Sequence, residues 1–320
     1  MTRAAAVFAA ALAIALPLSL LAGRGGLSAP VSATELLILT ELRLPRAVLA
    51  VFVGAGLGMA GAAMQGYLRN PLADPGLFGI APGAALGAVT ALLAGAPWWA
   101  VPPAALAGAA AAMALLALVA GRTPPGLGRG IALFTLAGLM ISSLAGALTA
   151  LVISLAPNAF VLSEIVMWLN GALTDRSWRE VAIAAPLILS GCALLLLTAR
   201  ALDALTLGEA VARSLGVVPG RLLWLLVAGV GLTVGAGVAV AGIIGFVGLI
   251  VPHLVRPLTD RRPSALLLPA ALAGGLLVLI ADTAVRILPL MVELRLGIVL
   301  SFIGAPFFLW LLLRLRRGWA

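Results

Sequence analysis

The 320-residue sequence contains no lysine, one histidine and one cysteine, and these absences exclude several kinds of function. A chain without lysine cannot form a G-x-x-x-x-G-K-[ST] phosphate-binding loop, because that motif places the lysine on the phosphates. With Cys192 and His253 as single copies, neither a disulfide framework nor a Cys/His metal site is available. We therefore expect no ATP hydrolysis by this chain itself, no metal site and no cofactor.

Charged residues are also scarce, at 10%, whereas 63% of the residues are hydrophobic and 37 are glycine. A soluble domain needs far more surface charge, so the composition predicts an all-α, polytopic membrane protein. The net charge of +9 comes from arginines scattered among short loops without interleaved aromatic residues. Nucleic-acid-binding proteins instead cluster their basic residues, so we expect membrane lipid as a partner and no nucleic acid.

Ten apolar segments are candidates for membrane-spanning helices. They cover residues 4–22, 47–67, 77–94, 98–120, 131–155, 181–199, 222–241, 243–254, 265–285 and 296–313. The first has about the 20 residues that cross a bilayer, which exceeds the core of a signal peptide, whereas the eighth is short and glycine-rich. An even count places both termini on one side. Thirteen of the 20 arginines also fall there, and the positive-inside rule makes that side cytoplasmic.

The stretch 42–87 joins two of these spans through polar residues and prolines held close to the membrane. Gly54 and Gly58, four residues apart, predict a helix whose backbone closely approaches a neighbour. Gln65 and an irregular loop at 70–75 follow. Irregular backbone at membrane depth must be satisfied by protein or by a water-filled cavity, so the loop is buried in the bundle or lines a passage. A plain turn between two spans is the alternative.

A short cytoplasmic helix is predicted at 207–215. Thr206 and Glu209 have the spacing of a capping box, and Gly216 marks the end of the helix. Glu209 and Arg213 are spaced to form an ion pair on one helix face. A helix of this length is unstable alone, so it packs against the bundle or against a cytoplasmic partner.

The outer side carries two further helix signals. Residues 162–170, with Glu164 and Trp168 among apolar neighbours, predict a short helix at the membrane interface. Ser177 and Glu180 predict a capping box at the start of the sixth span.

Seven arginines fall on the outer side, and three of them stand out by position. Arg43 and Arg46, three residues apart, share one helix face, and Arg286 lies four residues after Asp282. Their clustering indicates contact with an acidic partner that arrives from outside. Extension of the side chains towards lipid headgroups is the alternative for each.

Six blocks along nearly the whole chain resemble the membrane permeases of bacterial ATP-binding-cassette importers for iron-siderophore, haem and vitamin B12. The blocks are RLPR at 43–46, RNPLADPGLFG at 69–79, LGEAVARSLGV at 207–217, GIIGFVGLIVPHLVR at 242–256, ADTAVR at 281–286 and GAPFFLWLLL at 304–313. The resemblance implies one permease domain over 1–320 in the bacterial inner membrane, with ten helices. It also implies a homodimer with the pore on its two-fold axis, two cytoplasmic ATPase subunits and a periplasmic binding protein.

Roles for particular residues follow from the same resemblance. Docking of the binding protein is implied for Arg43, Arg46 and Arg286. Contact with the ATPase is implied for Gly208, Glu209, Ala212, Arg213, Leu215 and Gly216. The translocation pathway is implied to include Gln65, Asn70 and Leu72, of which Asn70 and Leu72 narrow the pore. The chain departs from the family where Arg295 and Leu300 replace a proline and a hydroxyl residue. It also departs ahead of the fifth span, where some members close the cytoplasmic mouth with hydroxyl side chains and this chain has Gly130, Ile131 and Ala132.

The function that this resemblance implies is import of an iron chelate, either a ferric siderophore or haem, with vitamin B12 import as the alternative. An ion-coupled transporter is less favoured, because such a protein carries acidic residues or histidine inside its spans. Here the spans are almost free of them, and Asp282 lies near a span end. An intramembrane enzyme needs a nucleophile with a base, or a set of metal ligands, and the sequence offers neither.

Overall fold

The structure is a computed structural model that describes residues 3–23, 26–27, 32–120, 129–288 and 293–317. The first seven helices are α1 (Arg3–Leu21), α2 (Ala33–Ile38), α3 (Leu44–Leu68), α4 (Ile80–Leu93), α5 (Val101–Ala120), α6 (Arg129–Ser154) and α7 (Ala159–Leu169). They are followed by α8 (Trp178–Leu197), α9 (Ala199–Leu205), α10 (Glu209–Ser214), α11 (Pro219–Ala241), α12 (Val247–Val255), α13 (Pro263–Ile287) and α14 (Leu296–Arg317). A two-residue hairpin pairs strands β1 (Ala22–Gly23) and β2 (Gly26–Leu27).

Shorter segments connect or extend these helices. Short 3-10 segments cover Pro75–Phe78, Trp98–Ala100 and Arg256–Leu258, and a π-helical segment, Leu39–Arg43, joins α2 to α3. As a result α2 and α3 form one continuous apolar helix of 36 residues, Ala33–Leu68. It begins well before the predicted start at residue 47, because Ser32 and Glu35 form a capping box.

The predicted polytopic helical architecture is confirmed. Among the described residues, eight helices are long and apolar enough to cross a membrane, and they correspond to eight of the ten predicted spans. The third and eighth predicted spans are shorter helices: α4 has 14 residues and α12 has 9. A single crossing takes about 20 residues, so neither crosses a bilayer by its own length. Each adjoins a 3-10 segment, which is Pro75–Phe78 before α4 and Arg256–Leu258 after α12.

Helix α3 lies in the centre of the bundle and packs closely against α13. A Cβ atom added to Gly54 would collide with the carbonyl oxygen of Gly274, and one added to Gly58 would collide with that of Ala270. This confirms the close backbone approach predicted from the glycine spacing. Inside a membrane the hydrophobic effect does not drive helices together, because lipid tails are as apolar as the side chains. Close contacts between small residues therefore supply much of the packing between helices.

Two of the predicted helix starts have different outcomes. The capping box of Ser177 and Glu180 is formed at the start of α8. The box predicted for Thr206 and Glu209 is wrong, because Gly208, at φ 98°, is the N-cap of α10 and no side chain caps that helix. The Thr206 hydroxyl instead donates to the carbonyl of Asp203, at the end of the unpredicted helix α9.

Candidate translocation pathway and docking surfaces

Arg46 is held in a network of acidic side chains at one end of the bundle. Its Nε donates to both carboxylate oxygens of Asp282, at 3.0 and 2.9 Å, and its Nη2 lies 2.9 Å from Glu293 Oε1. Glu293 also accepts a hydrogen bond from the Thr174 hydroxyl at 2.9 Å. The Arg46 side chain is 11% exposed and that of Asp282 only 2%. Paired contacts of this kind are among the strongest that arginine makes.

Arg43 and Arg286 lie beside this network but bind backbone rather than carboxylates. Arg43 donates to the carbonyl of Leu20 at 2.9 Å, and Arg286 donates to the carbonyl and hydroxyl of Ser19. Neither forms an ion pair with an acidic residue in the described part of the chain. Arg43 and Arg286 bind the adjacent residues Leu20 and Ser19, and Arg46 binds Asp282, four residues before Arg286 on α13. The fold therefore brings the three predicted docking residues together. We call Arg43, Arg46 and Arg286 the outer cluster.

Sequence reasoning found the arginines of the outer cluster but missed how they are bonded. It placed Asp282 near Arg286 through their four-residue spacing, but it did not find that the carboxylate of Asp282 binds Arg46. Arg46 and Asp282 are 236 residues apart along the chain, so no local pattern connects them. Ser19 and Thr174 carried no sequence signal either.

The predicted pathway residues lie at the opposite end of α3. At 1.5 Å per residue, the 23 residues from Arg46 to Arg69 span roughly 35 Å, which is the thickness of a membrane. Gln65 is buried, at 3% exposure. Its side-chain oxygen accepts from Arg256 Nη2 at 2.7 Å, and its amide nitrogen lies 3.3 Å from the carbonyl of Leu249.

The irregular loop after α3 satisfies its own polar groups. Asn70 Oδ1 accepts from the backbone N–H of Leu72 at 3.0 Å, and Asp74 Oδ1 accepts from that of Gly76 at 2.7 Å. Behind the loop, the ring of Phe78 stacks on Phe134 with ring centroids 5.2 Å apart. Asn70 itself is exposed on the single chain, and Leu72 is half-buried. The loop therefore packs on the bundle through one side and presents its Asn70 tip.

A cavity of about 230 Å³ lies between this loop and the start of α13. Its polar lining consists of Gln65, Arg69, Asn70, Thr206, Arg256 and Arg261. Three of these six side chains are arginines. We call Arg69, Arg256 and Arg261 the inner cluster.

Helix α10 lies near the same end of the molecule. Ala212 is buried at 1% exposure, whereas Leu207, Val211 and Leu215, four residues apart, are 63%, 43% and 63% exposed. The predicted pair of Glu209 and Arg213 is present, with a nitrogen–oxygen distance of 3.5 Å. The helix therefore leans on the bundle through Ala212 and leaves an apolar stripe uncovered by the chain.

Gly208 and Gly216 bracket α10 with backbone angles that favour glycine. Their φ angles are 98° and 88°, in the left-handed region that other residues rarely adopt. The remaining predicted contact residues, Glu209, Ala212, Arg213 and Leu215, lie between or beside them. The fold thus gathers all six predicted coupling residues on one short element. No group of three or more metal-ligating side chains occurs anywhere in the described ranges.

Comparison with known proteins extends over most of the chain. Residues 4–314 match the FecCD transport family. The chain is 40% identical over 282 residues to the Fe(3+) dicitrate transport system permease protein FecD of Escherichia coli, covering 87% of this chain and 86% of that protein. It is also 40% identical to the hemin transport system permease protein HmuU of Yersinia pestis, covering 87% and 83%. The cobalamin import system permease protein BtuC of Halobacterium salinarum is 40% identical, covering 87% and 74%.

A solved structure agrees with these relatives in fold. It is described as an inward-facing conformation of a metal-chelate type ABC transporter, and it superposes on this chain with a TM-score of 0.89. The two are 31% identical, and the match covers 97% of this chain and 98% of the other. The long apolar helices and the permease relatives together establish a multi-pass membrane transport protein. The chain belongs to the FecCD transport family.

Proposed function

We propose that this chain is the transmembrane permease of an ATP-driven, binding-protein-dependent importer for an iron chelate, either a ferric siderophore or haem. The observation that carries the proposal is its similarity along nearly the whole length to permeases named for ferric dicitrate and hemin. Vitamin B12 is the second candidate substrate, because a cobalamin permease is equally similar. The proposed unit is one permease domain over residues 1–320 in the bacterial inner membrane.

The proposed assembly is a homodimer with the pore on its two-fold axis. What supports a second copy is the position of Asn70, which is exposed on the single chain although it belongs to an irregular loop between apolar helices. An exposed side-chain amide is costly against lipid, so protein or water must cover it. Two facing copies of Asn70 and Leu72, with Gln65 behind them, then narrow a shared passage.

Two ATPase subunits are proposed to bind at α10. The exposed stripe of Leu207, Val211 and Leu215 supports this, because an apolar row on a short helix outside the long spans needs a protein cover in water. Exposed Arg213 and its partner Glu209 lie beside the stripe and add one positive and one negative charge to the proposed interface. This assignment makes the α10 side cytoplasmic, and with it both termini.

The periplasmic binding protein is proposed to dock on the outer cluster. Arg43 and Arg286 have no carboxylate partner among the described residues, which leaves their charge available to acidic groups on the binding protein. Arg46 contributes differently, because Asp282 and Glu293 already hold it. Its proposed part in docking is to fix the ends of α3 and α13, and so to position Arg43 and Arg286.

The proposed function is tested by transport in proteoliposomes. The permease is reconstituted with its ATPase and binding protein, and uptake of ferric siderophores, haem and cobalamin is measured with and without ATP. We expect uptake of one iron chelate that requires both ATP and the binding protein. Uptake that needs neither, and follows a proton or sodium gradient instead, would contradict the proposal and identify a secondary transporter.

A further inference from the structure

The inner cluster surrounds a cavity that has no negative charge of its own. Neither an aspartate nor a glutamate is among the described residues that line the cavity. Arg256 makes one side-chain hydrogen bond, to the neutral Gln65, and its Nε is buried without a partner. The side chains of Arg69 and Arg261 form no ion pair within the described part of the chain.

Two local features place these like charges together. Arg69 and Arg261 both adopt left-handed backbone conformations, with φ angles of 50° and 64°, and Arg69 is the C-cap residue that ends α3. A left-handed residue at a helix end turns the chain sharply, and here the turn brings Arg69 to the rim of the cavity. Asp260 precedes Arg261 directly in the sequence, but its carboxylate pairs with Arg262, with Oδ2 lying 3.6 Å from Arg262 Nε. Three arginines thus line one cavity, and the nearby carboxylate of Asp260 pairs with Arg262 outside it.

We propose that this cavity binds carboxylate groups of an anionic metal chelate as it leaves the translocation pathway, and that anionic chelates are therefore the preferred substrate class. The proposal rests on the proposed function, since it takes Gln65 and Asn70 as part of the pathway. Arginine suits the task because its fork of donors matches carboxylate geometry. At about 230 Å³ the cavity holds the acidic part of a chelate rather than a whole large one.

Carboxylates of the ATPase are the competing occupant. The observations favour the substrate, because the lining of the cavity includes Gln65, which is 3% exposed and which the proposed function assigns to the pathway. A surface for the ATPase is present separately, on the stripe of α10. A positive cleft beside a passage also raises the local concentration of anions, which helps an anionic substrate to leave the pore.

The direct test is binding of citrate, a small polycarboxylate, to the purified full-length permease in detergent by equilibrium dialysis. We expect saturable, salt-sensitive binding by the natural chain. In Arg69→Gln with Arg261→Gln the affinity should fall at least tenfold, since each lost charged hydrogen bond typically costs that much. These two side chains make no described hydrogen bond, so their removal leaves the fold intact.

The matched control is Arg3→Gln with Arg314→Gln, which removes two exposed arginines of the same proposed face that do not line the cavity. The control should bind citrate as the natural chain does. Equal affinity of all three proteins, or no citrate binding by the natural chain, would overturn the proposal. So would loss of ATPase co-purification in the cavity variant with citrate binding unchanged, because that result assigns the cavity to the ATPase.

A transport arm separates this proposal from the proposed function. In proteoliposomes with ATPase and binding protein, the cavity variant should lose uptake of an anionic ferric chelate at least tenfold at fixed ATP turnover, while the control variant keeps it. If the natural chain transports nothing under ATP but still binds citrate through Arg69 and Arg261, the importer assignment fails and the site stands. If the natural chain transports and the cavity variant transports equally well, the site fails and the importer assignment stands.

Discussion

The two arginine clusters lie at opposite ends of α3 and differ in how their charge is balanced. In the outer cluster, Arg46 is held by Asp282 and Glu293, and its neighbours donate to backbone oxygens. In the inner cluster, no carboxylate within the described ranges forms an ion pair with Arg69, Arg256 or Arg261. The difference indicates that the first cluster includes a structural ion pair, whereas the second has charge to offer a ligand.

The largest effect is expected from breaking the outer ion pair. Asp282→Asn leaves the buried Arg46 with only the more exposed Glu293, and removal of one partner from a buried pair typically costs about 3 kcal/mol of folding free energy or more. Thermal unfolding of the detergent-solubilised permease measures this loss. Asp260→Asn is the matched control, because its pair with Arg262 is exposed and contributes less than about 1 kcal/mol. Equal stability of the two variants would show that the pair of Arg46 and Asp282 is not the structural ion pair that distinguishes the outer cluster.

A second, smaller effect is expected on docking. Arg43→Glu with Arg286→Glu should weaken binding of the periplasmic protein about tenfold at low salt, and less at high salt, because salt screens exposed charge pairs. Surface plasmon resonance on the permease at two salt concentrations measures the change. The inner variant Arg69→Glu with Arg261→Glu should leave this affinity unchanged. A loss that is the same for both pairs of substitutions would show that overall charge, and not the outer cluster, governs docking.

The smallest effect on stability is expected at α10, whose charge pair belongs to neither cluster. Glu209→Ala with Arg213→Ala should change the unfolding free energy by less than about 0.5 kcal/mol, because the pair is exposed and 3.5 Å apart. Under the proposed function, the same variant should hydrolyse ATP in the complex without uptake. Retained coupling between hydrolysis and uptake would contradict the assignment of α10 to the ATPase.

Local patterns in the sequence predicted much of this fold. Hydrophobic length predicted the eight long helices, although two further predicted spans are shorter helices. The spacing of Gly54 and Gly58 predicted a close helix contact, and Ser177 with Glu180 predicted a helix start. Each of these signals depends on residues a few positions apart, or on helix geometry alone. The resemblance to a family then supplied the candidate site residues.

What the sequence could not give depends on tertiary contact or on competing local signals. The Arg46–Asp282 pair joins residues 236 positions apart, so only the folded chain reveals it. At α10, Gly208 occupies the N-cap position that Thr206 was expected to fill. Its φ of 98° is readily adopted by glycine and suits the turn between α9 and α10. The inner cluster was missed because Arg69, Arg256 and Arg261 come from separate segments that converge only in the structure.

The most direct measurement of the central claim is thiol labelling of Asn70→Cys, between the inner cluster and the proposed passage. The background is Cys192→Ala, since Cys192 is the single native thiol. Ala63→Cys is the matched control on the buried side of α3, at 0% exposure. In the complex with its ATPase, we predict that a water-soluble maleimide labels position 70 to different extents with and without ATP, and that position 63 stays unlabelled. Negligible labelling of position 70 in both states would contradict the account, because the loop would then be a buried turn and the passage would lie elsewhere.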